Sequence, residues 1–135
     1  MAAIQAISRD GKRIELDTAP VQTLRAGLRG PVLLAGEPAY DETRAIWNAM
    51  IDRRPALIAR CIGSSDVIAC VRFAREHGIA LSIRGGGHNI AGLALAEGGF
   101  LIDLSLMRGV FVDPPSRLAR AQGGCLLGDV DRETQ

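Results

Sequence analysis

The chain has 135 residues, of which 47% are hydrophobic and 23% are charged, and its formal net charge is +1. This length is enough for one globular core, and the nearly neutral charge favours neither nucleic acid nor a membrane surface as a partner. Charged residues at positions 9, 10, 12 and 13 interrupt the amino-terminal segment, which has no long apolar run. We therefore expect neither a secretory signal nor a transmembrane span, and a cytoplasmic location. The three cysteines are widely spaced, which predicts reduced thiols rather than a disulfide framework or a metal site.

The first thirty residues predict a β-hairpin followed by a short helix. Apolar and polar residues alternate on both sides of Asp10 and Gly11, a pair that favours a tight turn. The next segment has Thr18 as a candidate N-cap and apolar residues on one helical face. We therefore treat residues 1–30 as an amino-terminal hairpin and helix, and residues 31–135 as a second unit.

A strand–helix–strand pattern lies in the middle of the chain. Residues 40–50 first predict a helical turn or two, and residues 56–62 then form an apolar run typical of a strand. Residues 63–78 read as a capped helix that ends at a glycine, and residues 79–84 form a second strand. Two strands joined by a helix run parallel, and ligands bind at the carboxyl ends of such strands. The second strand ends beside three consecutive glycines, where we expect a ligand.

Three further strands and a helix complete the pattern. The strand candidates lie within residues 98–107, 109–113 and 117–124, and residues 126–135 begin like a helix. The whole predicts an α+β fold with an α/β-type strand–helix–strand subdomain. The helical pattern reaches Gln135 without a cap, glycine or closing strand, so we expect the chain to be the amino-terminal part of a larger protein.

The glycine-rich segment, residues 84–92, departs from two common phosphate-binding patterns. The dinucleotide-binding fingerprint requires glycine where Ile90 stands, and the phosphate-loop motif requires Lys and Ser or Thr where Leu93 and Ala94 stand. The segment still has the property that both motifs share, because its glycines let successive backbone N–H groups converge on a pyrophosphate. Arg84 either adds positive charge there or is a solvated strand end.

The sequence "RGGGHNIAG" resembles a flavin-binding segment when it is taken with its surroundings. It follows the strand–helix–strand unit and precedes "LIDLSLM" and "AQGGCLLGDVDRETQ". This ordered series is similar to the amino-terminal region of FAD-linked oxidases of the berberine bridge enzyme-like type. That family belongs to the vanillyl-alcohol oxidase/p-cresol methylhydroxylase (PCMH) superfamily. The resemblance implies that residues 31–135 are the amino-terminal part of a PCMH-type FAD-binding domain, incomplete at its carboxyl end.

The resemblance also implies roles for individual residues. In the family, the loop matching residues 84–89 wraps the FAD pyrophosphate, and the histidine matching His88 bonds to the 8α-methyl group of the isoalloxazine ring. His77, at a predicted helix end, is expected to be structural. For Asp103, a contact with the cofactor and a local turn or cap role both remain open. The further residues implied to contact FAD are Arg84, Gly85, Gly86, Gly87, Asn89, Ile62, Gly63, Gly92, Leu93, Asp103 and Ser105.

Two positions depart from the family pattern. Cys125 lies where many relatives have a small residue, and we do not expect it to form a second link to flavin. Leu127 stands where relatives commonly have Trp. No catalytic residue and no metal ligand is expected in this chain, and a carboxy-terminal domain outside it is expected to bind a small-molecule substrate.

Three functions remain open from the sequence. The first is the FAD-binding portion of an oxidoreductase that moves hydride from an alcohol, sugar or amine-type carbon to a covalently held flavin. The second is a truncated, non-catalytic module that binds FAD or depends on a partner. The third is a small nucleotide-binding protein unrelated to flavin.

Overall fold

A computed structural model of the chain describes residues 3–135, so Met1 and Ala2 of the predicted amino-terminal unit lie outside the described residues. The chain forms eight strands and four helices within these residues. In chain order they are β1 (Ile4–Ile7), β2 (Arg13–Leu16), α1 (Thr18–Gly27), β3 (Val32–Leu34), α2 (Tyr40–Arg44), β4 (Leu57–Arg60), α3 (Ser64–Glu76), β5 (Leu81–Arg84), β6 (Phe100–Asp103), β7 (Val110–Asp113), β8 (Leu118–Ala121) and α4 (Leu127–Thr134).

The central sheet has four strands in the order β3-β4-β6-β5. Strands β4 and β5 both run parallel to β6, and β3 lies antiparallel to β4 at one edge. The predicted unit β4–α3–β5 is present, with β6 inserted between its two strands. All three parallel strands therefore end at the same edge of the sheet, and this edge positions the site described below.

The sheet buries side chains on both faces, as the alternation of a pleated strand requires. Leu57 and Ala59 of β4 pack into one cluster, while Ile58 between them packs into a second cluster on the other face with Leu101 and Tyr40. The first cluster also contains Leu16, Val21 and other residues from the hairpin and α1. Residues before and after position 30 both contribute to this one core. The predicted division at residue 30 stays a prediction.

Two antiparallel hairpins flank the sheet. β1 pairs with β2, and Gly11 in their turn has a φ of +82°, as the sequence predicts. β7 pairs with β8 as a separate ribbon, against which α4 packs. The prediction that Thr18 caps α1 is wrong: Thr18 is already in the helix, and Asp17 occupies the N-cap position with extended backbone and no side-chain capping bond.

The three cysteines are free thiols. Cys61 and Cys70 are buried with their sulfurs 3.9 Å apart, and Cys125 is half-buried. The hydrogen bond with Cys61, together with burial, raises the pKa of Cys70. Among residues 3–135, no helix combines the length and the apolar character needed to cross a bilayer.

Candidate functional site

Charged residues occupy the last positions of the parallel strands. Arg60 of β4 and Arg84 of β5 both lie in register with Asp103 of β6, one on each side. The carboxylate of Asp103 is 0% exposed and accepts hydrogen bonds from Arg60 Nε at 3.1 Å and Arg84 Nε at 3.2 Å. Ser105 donates to it through its hydroxyl at 2.8 Å and its backbone N–H at 3.1 Å. Asp103 thus binds both arginines and, through the Ser105 N–H, the backbone just after its own strand, which is the local role left open above. Its contact with the cofactor stays a prediction.

Arg84 is also buried, so the interpretation as a solvated strand end is wrong. Its Nη2 atom lies 3.0 Å from Asp103 Oδ1, and its Nη1 atom donates to the backbone carbonyl oxygens of Thr43 and Ala45. Thr43 is in the last turn of α2 and Ala45 directly follows the helix, and both carbonyls accept from the guanidinium group. Arg84 therefore holds the segment after α2 against the end of β5.

Above Asp103 the strand ends form a cleft of about 300 Å³. Polar groups from Arg60, Ser105 and Arg108 line one part of it, and the backbone of Gly85 and Gly86 lines another. The remaining lining residues are Ala39, Glu42, Thr43, Ala45, Ile46, Trp47, Arg84, Gly124 and Leu126. The cleft therefore combines cationic side chains with backbone that carries no side chain.

Arg108 is held at the cleft by a bidentate pair with Asp129 in α4. Its Nε and Nη2 atoms donate to the two carboxylate oxygens at 2.8 and 2.6 Å. Arg108 and the backbone N–H of Leu126 together lower the pKa of Asp129 to about 2. The same hydrogen bond raises the pKa of Arg108, so both groups are charged near neutral pH.

Glycines allow two loops to pack together at this edge. A Cβ atom on Gly85 would overlap the carbonyl oxygen of Gly123, and one on Gly124 would overlap the carbonyl oxygen of Leu104. Gly87 adopts a φ of +74°, a conformation that residues with side chains rarely adopt. The predicted loop is thus built on glycine for close approach and for backbone geometry.

His88 follows these glycines, and its side chain is exposed. A Cβ atom on Gly86 would lie 2.9 Å from His88 Cδ2 and 3.0 Å from Leu126 Cδ2, so the imidazole occupies the space that the glycine leaves open. The Trp47 and His88 rings have centroids 5.7 Å apart. A second depression lined by His88 and Gly86 adjoins the cleft, and its other lining residues are Cys125, Leu126, Leu127 and Gly128.

The remaining predicted residues lie around this centre and do not line the cleft. Asn89 Oδ1 accepts a hydrogen bond from the N–H of Leu93 at 3.0 Å and closes a turn that contains Gly92. Ile62 and Gly63 follow β4 at the same sheet edge, where the Ile62 N–H donates to Asp66 Oδ2 at 3.1 Å. Their contact with FAD, like that of the other assigned residues, stays a prediction.

His77 lies where the sequence predicts, at the carboxyl end of α3. It occupies the C-cap position, and its ring packs on Phe73 with centroids 4.4 Å apart. This contact is at the end of α3 opposite to the one that follows β4, and it supports the structural role.

Asp66 at the start of α3 holds the segments next to β3 and β4 through hydrogen bonds. It accepts hydrogen bonds from the backbone N–H groups of Arg29, Gly30 and Ile62, each at 3.1 Å. Burial alone would raise the pKa of Asp66, but these N–H groups outweigh burial and hold the pKa below 3.8. The carboxylate therefore joins β3, β4 and α3.

Sequence reasoning missed Arg60, Arg108 and Trp47. Arg60 had a recognisable signal, because "ALIAR" and "LSIR" both end in Arg and parallel strands end at one edge. Trp47 had a weaker signal as the single tryptophan of the chain. No signal in the sequence indicated Arg108, since its role depends on the packing of α4.

Comparison with known proteins identifies relatives of this fold. A model of the family described as FAD binding domain matches residues 55–135. (R)-6-hydroxynicotine oxidase of Paenarthrobacter nicotinovorans is 38% identical over 106 residues, covering 78% of this chain and 23% of that protein. Berberine bridge enzyme-like 8 of Arabidopsis thaliana is 32% identical over 88 residues, covering 62% of this chain and 17% of that protein.

A solved structure agrees with the sequence matches. The crystal structure of 6-hydroxy-D-nicotine oxidase from Arthrobacter nicotinovorans matches with a TM-score of 0.76 at 37% identity, covering 79% of this chain and 24% of that one. The chain thus spans about a quarter of the length of these nicotine oxidases. It belongs to the FAD binding domain family, and its relatives are FAD-linked oxidoreductases that include berberine bridge enzyme-like proteins, as the sequence resemblance predicts.

Proposed function

We propose that this chain is the FAD-binding part of a flavin-dependent oxidoreductase and that His88 holds the flavin covalently. The observation that carries the proposal is the placement of an exposed imidazole beside a glycine-lined cationic cleft. The cleft and the depression around His88 share Gly86 and Leu126 as lining residues. One extended ligand can therefore contact both.

The residues of the cleft fit the chemistry of FAD. The FAD pyrophosphate is anionic, and Arg60 and Arg108 bring positive charge to a cleft whose floor is glycine backbone. Backbone N–H groups without neighbouring side chains can approach phosphate oxygens closely. The space beside Gly86 that a Cβ would fill is the space in which the imidazole lies.

In the proposed complex, residues of this chain bind FAD and orient it. Arg60 and Arg108 neutralise phosphate charge, while Arg84 and Asp103 fix the loop geometry from beneath. His88 offers an imidazole nitrogen, which is a group that can act as a nucleophile. The flavin supplies the acceptor for hydride when it is bound.

The proposed covalent bond joins an imidazole nitrogen to the 8α carbon of the flavin. One methyl C–H bond and the imidazole N–H bond are lost as the C–N bond forms. The two protons and two electrons that are released go to dioxygen, which becomes hydrogen peroxide. Dioxygen is the oxidant that this step requires.

For the whole protein, we propose oxidation of an alcohol, sugar or amine-type carbon. The substrate is a small molecule bound by residues outside this chain. The relative from Paenarthrobacter nicotinovorans is named (R)-6-hydroxynicotine oxidase, which supports an amine-type carbon as one candidate. We also propose a cytoplasmic location, with neither nucleic acid nor a membrane as partner.

Acid precipitation tests the tether. Purified protein that has been supplied with FAD should remain yellow in the precipitate, and the His88→Ala variant should release its flavin into the supernatant. His77→Ala is the matched control, since it removes the other histidine and should leave the flavin attached. Release of flavin by the unmodified protein, or its retention by His88→Ala, would contradict the proposal. FAD that binds reversibly without any substrate oxidation by the whole protein would favour a non-catalytic module instead.

A further inference from the structure

The indole of Trp47 lies against the imidazole of His88 although the two residues are distant in the chain. Their ring centroids are 5.7 Å apart with an angle of 47° between the ring planes. This separation falls within the range of favourable aromatic pairs. Trp47 is 78% exposed, but a single exposed apolar residue is common on protein surfaces and does not by itself indicate a site. The contact with His88 is the informative observation.

The backbone that carries Trp47 is fixed to the glycine loop at two points. Arg84 donates to the carbonyl oxygens of Thr43 and Ala45, just before Trp47. Ile46 packs over Gly87, where a Cβ atom would lie 3.6 Å from Ile46 Cβ. The indole is therefore presented to His88 by a segment that the loop itself holds in place.

The imidazole is confined on its other sides by smaller groups. Gly86 and the side chain of Leu126 lie beside His88 Cδ2, as the close distances to a Cβ at Gly86 indicate. Neither supplies a flat surface that could fix the rotation of the ring. A ring face is supplied by Trp47, which also lines the cleft.

We propose that Trp47 is a positioning residue that orients the imidazole of His88 for attachment to flavin. The part that concerns flavin rests on the proposed function, while the orientation of the ring does not. An exposed histidine without a neighbouring ring samples several rotamers, each of which points its nitrogens differently. A restrained ring spends more of its time in the geometry that reacts, and attachment is faster.

The orientation is tested without FAD by NMR of the His88 imidazole in the full chain. The ring current of an indole at this distance shifts the imidazole proton resonances, and Trp47→Ala should remove that shift. Trp47→Phe retains an aromatic ring and should restore part of it. Met50→Ala is the matched control, because Met50 is 92% exposed in the same segment and should leave the His88 resonances unchanged.

Attachment is tested with the same variants by following covalent flavin fluorescence on denaturing gels after addition of FAD. Trp47→Ala should attach flavin more slowly by about twofold to tenfold, since an aromatic pair contributes about 0.5–1.5 kcal/mol. Trp47→Phe should recover most of the rate, and Met50→Ala should match the unmodified protein. An unchanged His88 spectrum in Trp47→Ala, or an unchanged attachment rate despite a changed spectrum, would overturn the inference. If the unmodified protein attaches no flavin, the proposed tether fails, and the NMR comparison alone then decides whether Trp47 orients His88.

Discussion

Arg84 and Asp103 lie opposite each other on neighbouring parallel strands, with Arg84 Nη2 3.0 Å from Asp103 Oδ1 and both side chains buried. The charge of Arg84 is therefore neutralised inside the protein. Arg60 and Arg108, which also line the cleft, are more exposed than Arg84. The Arg84–Asp103 pair supports the start of the glycine loop, and a contact of Arg84 with FAD stays a prediction.

Replacement of Arg84 should destabilise the protein more than replacement of Arg60. Arg84→Met leaves a buried carboxylate with one partner fewer and frees the carbonyls of Thr43 and Ala45, which should cost about 3 kcal/mol in the free energy of unfolding. Arg60→Met removes a partly exposed partner and should cost about 1 kcal/mol. Urea denaturation of both variants measures the difference. Equal losses of unfolding free energy in the two variants would show that burial of the Arg84–Asp103 pair adds nothing to stability.

A methyl group at Gly86 should slow flavin attachment without unfolding the protein. In Gly86→Ala the new Cβ would lie 2.9 Å from His88 Cδ2 and 3.0 Å from Leu126 Cδ2, so the imidazole must move. We expect attachment to fall by about tenfold or more, since small displacements of reacting groups have large effects on rate. The measurement is covalent flavin per chain over time.

Gly128→Ala provides the control for this experiment. Gly128 lines the same depression as His88, but a Cβ atom there would meet no atom within 4 Å. Gly128→Ala should therefore attach flavin at the normal rate. If both variants behave alike, the space beside Gly86 is not what positions the imidazole.

The carboxylate of Asp66 should stabilise the fold in a pH-dependent way. Three backbone N–H groups hold its pKa below 3.8, the ordinary value. A carboxylate whose pKa is lower in the folded state stabilises the fold above the unfolded pKa and loses this contribution as pH falls through the folded pKa. Asp66→Asn should be less stable by about 1–3 kcal/mol at pH 7. The difference from the unmodified protein should shrink as the pH falls below about 4.

Denaturant titrations from pH 7 to pH 3 measure this difference. Asp17→Asn is the control, because the exposed side chain of Asp17 makes no capping hydrogen bond to α1 and the substitution should change stability by less than about 0.5 kcal/mol. A difference between Asp66→Asn and the unmodified protein that stays constant over this range would contradict the role of the charge.

Local patterns in the sequence were sufficient to predict most elements and the glycine loop. The Asp10-Gly11 turn, the glycine that follows α3 and the apolar runs of β4 and β6 each depend on residues that are close in the chain. The pairing of Arg84 with Asp103 depends instead on the register between β5 and β6, a strand that lies later in the chain. Sequence spacing carries no information about that register, so the prediction for Arg84 stayed divided between two roles.

The contact between Trp47 and His88 could not be predicted for a related reason. It requires α2 to end at Arg44, where a guanidinium group from a distant strand binds the carbonyl groups of Thr43 and Ala45. Helical propensity alone would let the segment continue. The tertiary bonds of Arg84 therefore determine where Trp47 lies.

Peptide mapping can locate the residue that carries the flavin, which we expect to be His88. Trypsin cleaves after Arg84 and Arg108, so one peptide spans residues 85–108 with His88, and another carries His77. After denaturation and digestion of protein supplied with FAD, mass spectrometry should find flavin on the peptide 85–108, with His88 as the modified residue. Flavin on any other peptide, or none on 85–108, would contradict the account.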